Sequence, residues 1–301
     1  MKVVVIGYGV QGKKRKRIAG ADCIGIVDPV SSEADWKNID EVPFEKFEAA
    51  LVSVPDDAKL PILEKLLSAG KHLLVEKPLL GTTEELLKLE RISKKNGAIC
   101  YTAYNHRFEP HMMRVKREID SGWLGKIYSA RFFYGNGTAR DVRNSAWRDQ
   151  GWGVIGDLGS HLLDWTDFLF GKEGWAPKTV ETYRHENKAP DHAIFHLEGS
   201  IALHYEMTML SWRNTFRFDL FAEHGTLHID CLCKWGPSIF TKRERVLPSG
   251  RPKETQEVLE CADPTWETEY QHFQKLCEHP PQDLSTDRWI YSTLEKLTKA
   301  I

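Results

Sequence analysis

Val3-Val4-Val5-Ile6-Gly7-Tyr8-Gly9-Val10-Gln11-Gly12 lies at the start of the chain and decides how the rest is read. Four β-branched residues in a row read as a buried strand. The Gly-x-Gly-x-x-Gly that follows turns at once into a helical pattern over Val10–Ala19. Each glycine meets a separate physical need. Gly7 permits a tight turn, Gly9 lets backbone N–H groups approach a pyrophosphate, and Gly12 lets the helix lie close on the strand. The next strand, Cys23–Val27, ends in Asp28. A carboxylate about twenty residues past the turn accepts hydrogen bonds from adenosine ribose hydroxyls and repels a 2′-phosphate. The expected cofactor is therefore NAD, with NADP disfavoured, held by Gly7, Tyr8, Gly9, Val10, Gln11, Gly12 and Asp28. The run Lys13-Lys14-Arg15-Lys16-Arg17 is expected to form the solvated face of the helix.

Outward from this motif, short apolar runs alternate with helical patterns. Ala49–Val54, His72–Val75 and Ile99–Ala103 read as strands, and Lys59–Ser68 and Thr82–Asn96 as helices. Thr82 with Glu85 forms a capping box, and Gly97 closes that helix. Between Asp28 and Ala49 the chain is short, which predicts a crossover helix trimmed to about a turn around Ser32–Asn38. This is an α/β pattern: an N-terminal Rossmann domain with a parallel sheet over residues 1–122. Beyond it, Lys126–Tyr134, Thr179–His185, Asp191–Leu197, Ser200–Met209, Thr215–Phe221, Gly225–Ile229 and Ser238–Lys242 read as strands without intervening helices. That rhythm predicts a second α/β domain, 123–301, with a large, mostly antiparallel open sheet. One helix, Gly153–Phe170, interrupts the strands. Two more, Trp266–Cys277 and Asp283–Lys299, follow them, and the last, about 283–299, could pack back on the first domain.

Composition narrows the function classes. The 301 residues carry a formal net charge of −2 and 41% hydrophobic residues. So balanced a charge gives no electrostatic case for nucleic acid or an anionic membrane. No stretch reaches the ~20 apolar residues of a membrane span. The six cysteines include no Cys-x-x-Cys pair and sit in apolar surroundings, as reduced thiols do. A cytoplasmic location is expected.

Two further constellations carry chemistry. Glu76-Lys77-Pro78 follows strand His72–Val75 at its carboxyl end, where ligands bind in open α/β sheets. Asp157-Leu158-Gly159-Ser160-His161 lies in the Gly153–Phe170 helix, with Asp157 and His161 four apart and so on one face. An unperturbed imidazole titrates near neutrality, whereas a lysine amine must be lowered by ~3 units to act as a base. His161 is accordingly the expected acid/base, with Lys77 against the developing alkoxide and Asp157 on the substrate or on His161. Asp157 and His161 also make half a metal site, but no third ligand stands at suitable spacing, so no metal is expected.

Gly7–Gly12, Glu76-Lys77-Pro78, and Trp147-Arg148 followed by Gly151–His161 together resemble the glucose–fructose oxidoreductase / inositol dehydrogenase (Gfo/Idh/MocA) family, in order and over nearly the whole chain. The resemblance implies hydride transfer between NAD and a secondary hydroxyl of a sugar, inositol or nucleotide-sugar-like substrate. It implies Lys77, Asp157 and His161 as the catalytic set. Tyr104-Asn105-His106-Arg107-Phe108 looks like the family's Asn-x-Arg-Phe stretch, bringing Asn105 to the cofactor, and Arg148 looks like an arginine that reaches the cofactor. Ser53, Pro55 and Glu76 join the expected cofactor contacts. Arg107, Trp152, Lys77, Asp157 and His161 make up the expected substrate contacts. The resemblance also implies a homodimer or homotetramer formed through the C-terminal sheet. Alternatives within it are an NAD-dependent glycosidase working by transient oxidation and a non-catalytic cofactor-sensing protein. The chain departs from the pattern at Trp152, where many members have glycine, and at Pro55-Asp56-Asp57-Ala58, where many have an Asn/His-rich turn.

Overall fold

The computed structural model describes residues 1–145, 148–279 and 283–299. Contacts divide the chain into two compact units, Met1–Asn105 with Trp266–Ser292, and His106–Thr265 with Thr293–Ile301.

In the first unit, β1 (Val3–Ile6), β2 (Cys23–Val27), β3 (Ala49–Val52), β4 (His72–Glu76) and β5 (Cys100–Ala103) form one sheet in the order β2-β1-β3-β4-β5. All pairings are parallel. β1 and β3 are buried along their whole length, which is why they read as unbroken apolar runs. Helices α1 (Val10–Ala19), α2 (Asp56–Ser68) and α3 (Thr83–Asn96) connect the strands. The Thr82–Glu85 capping box forms as expected, and Gly97 closes α3 in the left-handed conformation.

Two expectations for this unit fail. Ser32–Asn38 forms no helix and holds only the single turn that Ala34 N–H closes on the Ser31 carbonyl. Asp35 instead accepts the Ile26 N–H, Trp36 bridges to Val27, and the helical turns of the connection come later, at Ile39–Glu41 and Phe44–Lys46. An aspartate bonded to the neighbouring strand holds this segment extended where a helix would turn it away. Nor is Lys13–Arg17 wholly a solvated face. Arg15 is buried, because two carboxylates and an aromatic ring receive it, as described below.

In the second unit, α4 (Pro110–Asp120) precedes β6 (Ile127–Gly135), and the short α5 (Ala139–Arg143) precedes α6 (Ser160–Phe170). The strands β7 (Ala176–Tyr183), β8 (His192–Glu198), β9 (Ala202–Thr208), β10 (Thr215–Ala222), β11 (Gly225–Asp230), β12 (Ser238–Glu244) and β13 (Lys253–Leu259) follow. The chain then returns to the first unit with α7 (Thr265–Cys277) and with α8 (Ser285–Lys299) up to Ser292. The sheet runs β13-β12-β11-β10-β6-β9-β8-β7, antiparallel except where β6 pairs with β9. Alternate residues such as Phe132, Phe195, Tyr205, Phe218 and Leu220 fill its inner face. β13 has no counterpart in the strand pattern of the sequence. Lys253-Glu-Thr-Gln-Glu-Val-Leu259 lies almost fully exposed at the rim, so no apolar alternation marks it. The Gly153–Phe170 helix also differs from expectation: Ile155–Gly159 winds as a π-helical turn before α6 begins. Among the described residues, no helix is long and apolar enough to cross a membrane.

Candidate active site

The glycine turn is built by exclusion. Gly7 has φ of +85°, and a Cβ there would sit 2.5 Å from the Ser53 carbonyl oxygen. A Cβ on Gly12 would overlap the carbonyl oxygen of Gly7. Gly9 differs: a Cβ on it would meet nothing within 4 Å. The protein's own packing therefore does not require a glycine here. The N-cap Gly9 brings no side chain to the start of α1, whose first residue, Val10, is 74% exposed. The Ser53 hydroxyl is buried at the end of β3 with no hydrogen-bond partner among the described residues. An open glycine, an uncapped helix N-terminus, an uncovered apolar side chain and an orphaned hydroxyl together suit a dinucleotide pyrophosphate.

Asp28 closes this cradle. Its Oδ2 accepts the Tyr8 N–H at 2.7 Å, and its Oδ1 accepts those of Val30 and Ser31 at 2.9 and 2.7 Å. Burial opposes the charge, but the bonds from Tyr8, Ser31 and Val30 prevail and hold the carboxyl below its ordinary value. Three donors leave the carboxylate acceptor capacity to spare. The Tyr8 ring is buried, with the ammonium groups of Lys13 and Lys16 each 5.4 Å from its centroid. Gln11 is exposed on α1, and Pro55 stands immediately before α2.

The Glu76-Lys77-Pro78 turn is supported from two sides by residues that carry no sequence signal. Lys59, on α2 and 2% exposed, donates to Asp56 Oδ1 at 2.6 Å and to the carbonyls of Glu76 and Pro78 at 2.8 and 2.7 Å. It thus holds both carbonyls that flank Lys77. Burial pulls the Lys59 ammonium below its ordinary value, with Asp56 pulling the other way. On the other side Glu76 accepts Arg15 Nε at 2.6 Å, Arg15 Nη1 donates to Glu269 at 2.6 Å, and the guanidinium lies 4.3 Å from the Trp266 ring centroid. The Glu76 carboxylate is thus engaged by α1. Asn105 is buried after β5, at the start of a 3-10 turn.

In the second unit His161 lies in the first turn of α6 and is 5% exposed. Gly153 lets the chain enter the π-turn: its φ is +50°, and a Cβ there would strike the Pro190 carbonyl oxygen. That loop is itself fixed by Asp149, which accepts the N–H groups of Lys188 and Ala189. Asp157, on the turn, lies 3.7 Å from Arg148, so two residues expected on different ligands stand side by side. The His161 ring stacks on His106 at 4.1 Å between centroids, 25° from parallel. His106 stacks on Trp165 at 5.5 Å, and its Nε2 lies 2.7 Å from Lys234 Nζ. Burial, then Asp157 and Asp263, push the Tyr134 phenol upward, so it stays neutral.

Arg107 turns to α6. Its Nε is 2.8 Å from both Asp164 oxygens, and Nη2 is 3.5 Å from Asp167. Burial pushes the Asp164 carboxyl up to about 6 against the pull of this guanidinium. Trp152 is half-buried beside Gly156. Trp147 lies outside the described residues. His106 was visible only as the variable position of the Asn-x-Arg-Phe stretch, and Lys234 carried no signal in the sequence.

Comparison with known proteins agrees with this architecture. Residues 1–104 match the model of the oxidoreductase family with an NAD-binding Rossmann fold, and residues 112–228 match the GFO/IDH/MocA C-terminal domain. The chain belongs to the Gfo/Idh/MocA family.

Among curated relatives, the uncharacterized oxidoreductase YdgJ of Escherichia coli is 28% identical over 190 residues, 57% of this chain and 54% of that protein. Levoglucosan dehydrogenase of Pseudarthrobacter phenanthrenivorans is 29% identical over 147 residues, 47% of this chain and 37% of that protein. The NADP(+) scyllo-inositol 2-dehydrogenase IolW of Bacillus subtilis is 29% identical over 153 residues, 50% of this chain and 42% of that protein. The chain thus spans about half or less of the length of the curated relatives it matches. A levoglucosan dehydrogenase structure with NADH and levoglucosan superposes with a TM-score of 0.84 at 17% identity, covering 100% of this chain and 96% of that one. That likeness concerns the fold.

Proposed function

We propose that this chain uses NAD(H) to move a hydride to or from a secondary hydroxyl of a sugar, inositol or nucleotide-sugar-like substrate. The observation that carries the reading is the glycine cradle, in which Gly9 alone opens onto clear space while Gly7 and Gly12 are closed by backbone. Gly7–Gly12 and Ser53 hold the pyrophosphate side, and the charged Asp28 favours NAD over NADP by repelling a 2′-phosphate. Bound NAD supplies the hydride acceptor. His161 takes the hydroxyl proton, Lys77 stabilises the developing alkoxide, and Asp157 holds a substrate hydroxyl with Arg148 beside it. Relatives named for levoglucosan and inositol substrates support the substrate class. The eight-stranded sheet of the second unit is the surface proposed for a homodimer or homotetramer, to be checked by light scattering. The free cysteines suit a reducing, cytoplasmic setting.

The test is a panel of sugars, inositols and nucleotide sugars, each offered with NAD and with NADP, followed by absorbance of the reduced cofactor. Reduced cofactor formed with at least one panel member, faster with NAD, is the expected result. Failure of both dinucleotides to bind would overturn the reading, and turnover without net NADH would replace it with a transient-oxidation glycosidase.

A further inference from the structure

The His106 ring links a lysine to the candidate base. An ammonium has three donors and no acceptor, so at 2.7 Å from Lys234 Nζ the His106 Nε2 is the acceptor and bears no proton. His106 is then a neutral imidazole with its proton on Nδ1, a tautomer assigned from the bond it accepts. Its place is fixed by Trp165, whose indole N–H donates to the His106 carbonyl at 2.9 Å. The His161 ring is stacked against it. Within the second unit, the titratable groups around this stack come from several elements. β6 brings Tyr134, kept neutral by burial. The π-turn brings Asp157, paired with Arg148. The segment before α7 brings Asp263, 3.6 Å from Lys234, and α6 itself brings Asp164, tied to Arg107.

We propose that Lys234, acting through the neutral ring of His106, holds His161 in its proton-accepting form. Lys234 and His106 are positioning residues. The inference rests on the reading of His161 as the acid/base. A second proton on His161 would place an imidazolium one ring away from an ammonium, and like charges in a partly buried setting oppose this. The stack also restrains the plane of the His161 ring, because tilting it would break the contact with His106.

The test is the nitrogen NMR of histidine-labelled protein, in the wild type, Lys234→Met and Lys234→Arg. At neutral pH, wild-type His106 should show a bare, accepting Nε2. In Lys234→Met the His161 titration should move up by about one pH unit, and Lys234→Arg should restore most of the original midpoint. The acid limb of the kcat/KM profile should move with it, without change in NAD affinity. A proton on wild-type His106 Nε2, or an unmoved His161 titration in folded Lys234→Met, would overturn the proposal. If Lys234→Met fails to fold, the wild-type tautomer decides alone. Turnover surviving in His161→Ala would instead sink the acid/base reading and leave the NMR coupling untouched.

Discussion

The Lys59 ammonium donates to the carbonyl oxygen of Pro78 at 2.7 Å, so a buried cation on α2 clamps the turn that bears Lys77. Lys59→Met keeps the side chain's bulk but removes its bonds to Asp56, Glu76 and Pro78. It leaves two carbonyls without this donor, a loss of about 2–4 kcal/mol. Urea unfolding should report it. If the turn positions Lys77 for chemistry, kcat should also fall while NADH affinity holds to within a few-fold.

Gly9 and Gly12 should separate binding from folding. Gly9→Ala meets open space and should leave thermal stability nearly unchanged while weakening NADH binding at least tenfold, read by cofactor fluorescence. Gly12→Ala drives a methyl into the Gly7 carbonyl and should destabilise the first unit by about 3 kcal/mol or more. Equal stability losses in the two variants would remove the case that Gly9 faces a ligand.

His161→Ala should lower kcat by roughly 10²–10⁴-fold, the usual contribution of a positioned acid/base, and leave NAD affinity intact. Stopped-flow measurement of the reduced cofactor checks the first, and calorimetric titration the second. A parallel loss of cofactor affinity would reassign the residue to binding.

His111 gives a stability test in a defined pH window. It is buried against Ser238, 2.8 Å from the hydroxyl, and burial, with Arg114 adding to it, pushes the imidazole down to about 4. Between pH 6.5 and 4 the unfolded chain binds a proton here that the folded chain refuses. Stability from His111 is therefore complete above pH 6.5 and falls as the pH drops toward 4, by on the order of 2–3 kcal/mol. The measurement is the difference in urea stability between the wild type and His111→Asn across that range. Taking the difference isolates His111 from Asp164, whose raised carboxyl works in the opposite direction. A difference that stays flat with pH would refute the assignment.

What could be read from the sequence was what local chemistry determines. The Gly7–Gly12 turn and the Thr82–Glu85 cap depend on near neighbours, the buried strands β1 and β3 of the first unit show as unbroken apolar runs, and they form as read. Arg15 did not announce itself, because its partners Glu76 and Glu269 stand 61 and 254 residues away. Lys59 was invisible for the same reason, since only the fold puts the Pro78 carbonyl above it. The π-turn at Ile155–Gly159 obeys the same periodic pattern as an α-helix and is selected by the loop that meets Gly153. His106 and Lys234 are 128 residues apart, a separation no motif encodes.

Both outer strands of the eight-stranded sheet are poor templates. On β13, Lys253 and Glu254 pair across to Glu244 and Arg243, so a stray extended segment arriving there meets fixed charges. β7 at the opposite margin carries Pro177, which has no N–H to offer, and a break in register follows it. Both margins of the sheet thus resist the strand-by-strand accretion that leads to fibrils.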